Sequence, residues 1–294
     1  MAEEIDGGRR GLVKKRRLNE AELAEVEELA QVCDAYEDLH LRLSVEQMRT
    51  RTGKESNDFL FYEDGRLVGA LALSDYGKEK REVILMVHPY HRRRGIASAL
   101  LAAARKDARR RGIERLALVC ERFSRSGNAF IGTVGAQYDF SEHHMELREF
   151  KERGDFSEQL RLVRAVPTDV GEIARVTAAS FGESEERIKP HIAKDIAAPE
   201  RQYYIAKLGE EVVGTFNLYI TGESTGIYAF AVAPRYRRRG FGRQMLEQII
   251  RQIRAESSKR ITLEVETTNT NAIALYQSTG FRPVTTYGYY ELEV

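Results

Sequence analysis

The sequence repeats itself. Pro89 and Pro234 stand 145 positions apart, and at that spacing Arg92-Arg93-Arg94-Gly95 falls on Arg237-Arg238-Arg239-Gly240. Without a gap the same spacing pairs Val68-Gly69 with Val213-Gly214, Leu101 with Leu246, Leu118 with Leu263, Glu121 with Glu266 and Gly135 with Gly280. A constant offset over so long a stretch marks a duplicated structural unit. The chain's 294 residues accommodate two domains comfortably.

Each copy carries the same succession of patterns. An apolar stretch opens it ("GLVKKRR", "LRLVRAV"), followed by an amphipathic helical pattern ("EAELAEVEELAQVCDAY", "VGEIARVTAASF"). Two strands around a glycine-containing turn come next ("FLFYEDGRLVGALAL", "YYIAKLGEEVVGTFNLYI"), then a third strand ("EVILMVHP", "IYAFAVAP"). The arginine–glycine segment opens a second helix, with Met245, Ile249, Ile250 and Ile253 on its apolar face in copy two. A buried-type strand ("RLALVCE", "RITLEVE"), a short helix ending at Gly135 or Gly280, and a terminal β pair complete the unit. The expected fold class is therefore α/β (α+β), a mixed, mostly antiparallel sheet flanked by helices in each copy. The domains are expected at 1–152 and 158–294, with a linker near 151–159 and a loose tail at residues 1 to about 9.

Composition removes some functions. Forty-six Lys and Arg against 45 Asp and Glu leave a formal charge of +1, unlike the lopsided basic balance of a nucleic-acid binder. Neither the two cysteines nor the six histidines stand at metal-ligand spacing, so no metal is expected. The polar N-terminus lacks the apolar core of a signal peptide, and no run approaches a membrane span; a cytoplasmic protein, monomer or homodimer, is expected.

The arginine–glycine segment is the chemical clue. A strand that turns through glycines straight into a helix leaves backbone N–H groups unpaired at the helix N-terminus. Those donors and the helix dipole favour an anion, phosphate above all. The glycines let the backbone wrap the anion, and arginines add charge and forked donors. No Gly-Lys-Ser/Thr follows, which excludes the Walker loop, and the three-glycine dinucleotide fingerprint does not fit.

Arg237-x-x-Gly240-x-Gly242 and Arg92-x-x-Gly95-x-Ala97, each after a strand ending in Val-x-Pro, resemble the acetyl-CoA pyrophosphate loop of the GNAT superfamily of N-acetyltransferases. The resemblance spans the chain as a tandem of two such domains. It implies acetyl-CoA as cofactor and a small-molecule or peptide amine as acceptor, with direct attack in a ternary complex and no covalent intermediate. It implies that Phe230, Ala231 and Val232 offer main-chain groups to the acetyl-pantetheine arm, with the Val232 N–H polarising the carbonyl. Arg237, Arg238, Arg239, Gly240, Phe241, Gly242 and Arg243 would hold the pyrophosphate, and Asn269 would touch the cofactor. Val87, Arg92, Arg93, Arg94, Gly95, Ile96 and Ala97 form a possible second cofactor site.

Copy two also carries the rest of the family pattern, Asn269, Ala272, Leu275, Tyr276, Gly280 and Phe281. Copy one has Ser124, Phe130, Ile131 and Ala136 at Asn269, Leu275, Tyr276 and Phe281. A phenol of pKa about 10 can protonate a departing thiolate; an isoleucine cannot. Copy two is thus the expected catalytic half. Glu264 and Glu266 share one strand face. Copy two is similar to ribosomal-protein alanine N-acetyltransferases, whose proton acceptor stands twelve residues before the tyrosine, which implies Glu264. Glu266 or a water remain alternatives for the base. Two other readings stand beside this one: a non-catalytic acyl-CoA sensor or scaffold, and an acetyltransferase resembling mycothiol synthase. The acceptor is expected to be chosen by loops such as Phe181 to Asp195.

Overall fold

Period-two and period-3.6 apolar patterns alternate along the chain as expected, and each becomes an element of the computed structural model, which describes residues 9–75, 80–156 and 158–294. The first copy runs β1 (Gly11–Lys15), α1 (Glu20–Glu37), α2 (Val45–Arg49), β2 (Asp58–Glu63), β3 (Arg66–Asp75), β4 (Lys80–Val87), α3 (Ile96–Arg110), β5 (Arg115–Glu121), α4 (Arg125–Val134) and β6 (Gln137–Leu147). The second runs β7 (Arg161–Arg164), α5 (Val170–Phe181), α6 (Glu185–Asp195), β8 (Arg201–Leu208), β9 (Glu211–Ile220), β10 (Ser224–Val232), α7 (Phe241–Glu256), β11 (Arg260–Glu266), α8 (Thr270–Thr279) and β12 (Phe281–Glu293). The expected tail lies, but for Arg9, outside the described residues, as does Ser157 of the expected linker. Two features depart from expectation. The segment from Phe181 to Asp195 forms most of its length as helix α6, and each copy ends on one long strand rather than a pair.

The chain divides into two compact units, Met1–Ser141 with Thr285–Val294, and Glu142–Val284. In the first the strand order is β1-β2-β3-β4-β5-β12, antiparallel except for β4 on β5. In the second it is β6-β11-β10-β9-β8-β7, antiparallel except for β10 on β11. The pairing of β12 with β5 uses Tyr287 to Glu293, and that of β6 with β11 uses Glu142 to Glu146. Each sheet is thus closed by a strand that the sequence attaches to the other copy.

Alternation puts helices on both faces of the first sheet. Leu60, Tyr62, Ala70, Ala72 and Met86 pack with Leu23, Val26, Leu29 and Cys33 of α1. Phe59, Leu71 and Leu73 pack on Leu100, Leu101 and Ala104 of α3. The α1 stripe is started by Asn19, whose side chain accepts from the Glu22 N–H while Glu22 answers its own N–H. In the second unit Met245, Ile249, Ile250 and Ile253 of α7 are buried as expected.

One buried carboxylate holds α7 in place. Glu247 accepts from Arg243 (2.6 Å) and from the N–H groups of Arg153 (3.0 Å) and Gly154 (3.1 Å). Burial opposes its ionisation, but those donors outweigh burial and hold the carboxyl below its ordinary value of 4.5. A depressed carboxylate stabilises the fold above its unfolded value, and the contribution is lost as pH falls through the folded one. Glu247→Gln should therefore cost about 3 kcal/mol at neutral pH, and less in acid below pH 4.5, as read by denaturant unfolding at both pH values.

The paired glycines Gly135 and Gly280 make a second test. Both have left-handed backbones, with φ of 72° and 111°. A Cβ at Gly135 would meet nothing within 4 Å, whereas one at Gly280 would lie 1.5 Å from the Glu149 carbonyl oxygen. There the chain after β6 folds back: Arg148 and Glu149 donate to the Gly280 carbonyl at 3.1 and 3.4 Å. Gly135→Ala should cost about 1 to 2 kcal/mol for the backbone alone. Gly280→Ala should cost well beyond that or abolish folding, and equal melting shifts for the two would refute the packing difference.

Candidate functional site

The site in the second unit begins where two parallel strands part. β10 and β11 pair from Ser224–Arg260 to Ile227–Leu263 and no further, though both strands continue. On its other side β10 carries a bulge: Tyr228 faces Asn217 and Ala231 faces Thr215, so Ala229 and Phe230 stand opposite Phe216 alone. Ala229 takes a left-handed φ of 47° to make the kink. The bulge turns β10 away from β11 and leaves main-chain groups at the gap's edge.

The loop beyond β10 is built as the sequence suggested. Pro234–Tyr236 forms one 3₁₀ turn, Arg238 has φ 61°, and Gly240, at φ 85°, precedes the first residue of α7. No side chain caps that helix, so its first N–H groups are left for an external acceptor. A Cβ on Gly242 would lie 3.4 Å from Leu275 and 3.6 Å from Val232, so the start of α7, the end of β10 and α8 converge there. Among the arginines the tasks differ. Arg237 donates to the Val232 carbonyl (3.0 Å) and the Ser180 carbonyl (3.4 Å). Arg239 pairs with Glu158 (2.8 Å), and Arg243 reaches Glu247, Ser278 (2.9 Å) and the Lys151 carbonyl. These three brace the loop. Arg238 has no hydrogen-bond or ion-pair partner among the described residues and is free to meet an anion.

Tyr276 sits on α8, buried to 6% exposure, edge-on to Phe230 of the bulge (6.2 Å between ring centres) and to Phe281 (6.1 Å). Its hydroxyl makes no hydrogen bond among the described residues, and burial pushes its pKa above the ordinary phenol value. Asn269 caps α8 by accepting from the Ala272 N–H at 3.2 Å. Glu264 stands on β11 directly across from His144 of β6, with Nδ1 and Oε1 3.7 Å apart. Glu266 is exposed and accepts from the Thr268 hydroxyl at 3.3 Å. His144 was not foreseen: it belongs to the first copy in sequence, and only the strand exchange brings it beside Glu264.

In the first unit β4 and β5 also part, after Val83–Leu118, but β4 pairs with β3 in unbroken register from Asp75–Arg81 to Gly69–Val87. The bulge is absent there. Arg93 and Gly95 repeat the left-handed φ values, 62° and 81°, and Gly95 leaves α3 uncapped. A cavity of about 590 Å³ opens beside this loop, lined by Val87, Arg92, Arg93, Gly95, Ile96 and Ala97 together with Leu85, Cys120 and Ile131. Arg94 instead pairs with Glu63 at 2.8 Å. Where the second unit has Phe230 against Tyr276, this one has Leu85 and Ile131.

Both units therefore offer an uncapped helix start beside parted strands, a shape that fits an extended, anion-headed ligand such as acetyl-CoA. Among the described residues no cluster of His, Cys, Asp or Glu could hold a metal, and no helix is long and apolar enough to cross a membrane. The cysteines are poor nucleophiles: burial pushes Cys33 up to about 11 and Cys120 to about 12. At neutral pH iodoacetamide should alkylate neither in the folded protein at more than about one-hundredth of a free thiol's rate. Mass spectrometry of the intact and unfolded chain checks this.

Comparison with known proteins shows the family and the fold. The family described as Acetyltransferase (GNAT) family matches residues 23–131 and 170–281. The chain is 30% identical over 118 residues to the [Ribosomal protein bS18]-alanine N-acetyltransferase of Escherichia coli K12, spanning 39% of this chain and 79% of that protein. It is 29% identical over 130 residues to the N-alpha-acetyltransferase RimI of Mycobacterium tuberculosis, spanning 40% and 80%. In fold it is similar to a GCN5-related N-acetyltransferase from Sphaerobacter thermophilus, with TM-score 0.79, 17% identity and coverage of 96% and 95%. It is also similar to a tandem GNAT protein from the clavulanic acid biosynthesis pathway, with TM-score 0.69, 19% identity and coverage of 96% and 98%.

Proposed function

The chain belongs to the GNAT acetyltransferase family, and from that premise we propose that its Glu142–Val284 unit transfers acetyl from acetyl-CoA to a primary amine by direct attack. The observation that carries the reading is an asymmetry: the strand bulge and the buried phenol that touches it occur together in one unit, and neither occurs in the other. The bulge serves binding, but a unit that only binds has no need of the phenol beside it.

The chain's own groups divide the work. Acetyl-CoA brings the thioester. The uncapped N–H groups of Gly240, Phe241 and Gly242 with Arg238 hold its diphosphate, while Arg237, Arg239 and Arg243 keep the loop in shape. The parted edge of β10 at Phe230, Ala231 and Val232 binds the pantetheine arm, with the Val232 N–H directed at the carbonyl, and Asn269 sets the start of α8 beside it. Holding amine and thioester in one cleft supplies much of the rate. Tyr276, kept protonated by burial, gives its proton to the departing sulfur. Glu264, with Glu266 or a water as the other candidate, takes the proton that the attacking amine must shed. The similarity to alanine N-acetyltransferases supports an α-amino group on a peptide as one acceptor class to test first.

Tyr276→Phe keeps the ring contacts and removes only the proton. Turnover with an amine panel, followed as free thiol release, should fall about 10²- to 10⁴-fold while acetyl-CoA affinity stays within about threefold. An unchanged rate would reject the acid role. The sensor reading rests on the cavity of the first unit; it stands if no amine elicits thiol release from the wild type.

A further inference from the structure

A side chain of the chain itself binds residues that line the first unit's cavity. Glu37, the last residue of α1, sends one carboxylate oxygen to the Arg92 guanidinium. Its other oxygen accepts from the Ser126 N–H and from the Ser124 hydroxyl, each at 3.3 Å. Arg92, Ser124 and Ser126 all line the cavity. Arg92 also donates to the Val87 carbonyl at 3.1 Å, so it is fixed to the end of β4. Ser124 and Ser126 open α4, which follows β5. One carboxylate therefore ties the end of β4 to the start of α4, across the gap left where β4 and β5 part.

The second unit lacks this tie among its described residues. Arg237 makes the equivalent bond to Val232, at 3.0 Å, but its outer nitrogen goes to the neutral Ser180 carbonyl. Helix α5 ends there on Phe181 and a left-handed Gly182, with no carboxylate at the position of Glu37. The start of α8 is capped only by its own Asn269. Burial opposes the charge on Glu37, but the bonds from Ser126 and Arg92 outweigh it, so the group is an anion at neutral pH.

We propose that Glu37 is a built-in anion that neutralises Arg92 and, by tying the end of β4 to the start of α4 across the gap where the strands part, bars CoA and its thioesters from the first unit. The loop and the cavity beside it are present, but the gap that a pantetheine arm would enter is spanned, and it is freed when the tie from α1 is broken. This rests on the reading above, that an uncapped helix start beside parted strands is where CoA's diphosphate sits. It accounts for a unit that keeps the loop and a preformed cavity while the arginine nearest the strand end is neutralised from within.

Calorimetric titration with CoA tests it on the full chain. Wild type should bind one CoA per chain, and Gly240→Glu, which blocks the second unit, should remove that binding. If Gly240→Glu leaves the single site intact, the diphosphate reading itself fails. Adding Glu37→Ala, or the milder Glu37→Gln, to Gly240→Glu should create one CoA site at least tenfold tighter than any residual binding. That site should disappear again on Gly95→Glu. The closure is overturned by either of two results. One is Gly240→Glu alone retaining a CoA site that Gly95→Glu removes. The other is neither Glu37 variant binding CoA although both melt as a folded protein.

Discussion

In each unit two parallel strands pair for four residues and then diverge, and the remaining features of the site follow from that divergence. A sheet normally satisfies its main-chain donors and acceptors between strands; where strands part, those groups need another partner. The chain answers some of them itself. Arg92 and Arg237 each donate to the last strand carbonyl, of Val87 and Val232, and so turn the chain from strand to loop. Gly95 and Gly240 then take the left-handed backbone that starts α3 and α7 without a side-chain cap. The groups left over, along the gap and at the helix start, are those a ligand can claim.

Much of this was legible. The repeat spacing gave the two copies, apolar periodicity gave most elements, and Arg-x-x-Gly at the end of a Val-x-Pro strand gave the loop. The bulge was not legible, for a definite reason. Asp75 pairs with Arg81, whereas its counterpart Ile220 pairs with Thr225 rather than Gly226; beyond the bulge Gly69–Val87 and Gly214–Val232 agree again. The copies thus align in sequence without a gap while the register on the turn side of the bulge differs by one. A gapless repeat conceals such a shift. No composition rule marks Ala229 as left-handed, and the residue after it, Phe230, packs on Tyr276.

The exchange of terminal strands was hidden as well. A strand's sequence states that it alternates, not which neighbour it pairs with. β6 reads as the end of copy one, yet Met145 is buried among Leu263 and Val265 of the second unit's core. That pairing puts His144 across from Glu264, and the turn after β6 closes on Gly280 so tightly that a single methyl would meet the Glu149 carbonyl. The candidate base thus lies in a setting that copy two alone could not specify. Glu37 is a similar case, since a helix-ending glutamate carries no sign of the arginine and helix start it will meet.

Retention of the loop in both copies is weaker support for two cofactor sites than it first looks. Arg92 and Gly95 have structural duties that would keep them in place with no ligand at all: one satisfies a strand carbonyl, the other supplies a backbone conformation costly for other residues. What distinguishes binding from folding is the fate of groups the fold does not need. Among the described residues of the second unit these are Arg238, left unpaired, and the phenol of Tyr276, buried without a hydrogen bond. In the first unit the phenol is Ile131 and the nearest arginine is held by Glu37. The two copies keep one architecture because the parted strands demand it, and they differ where chemistry alone would make the demand.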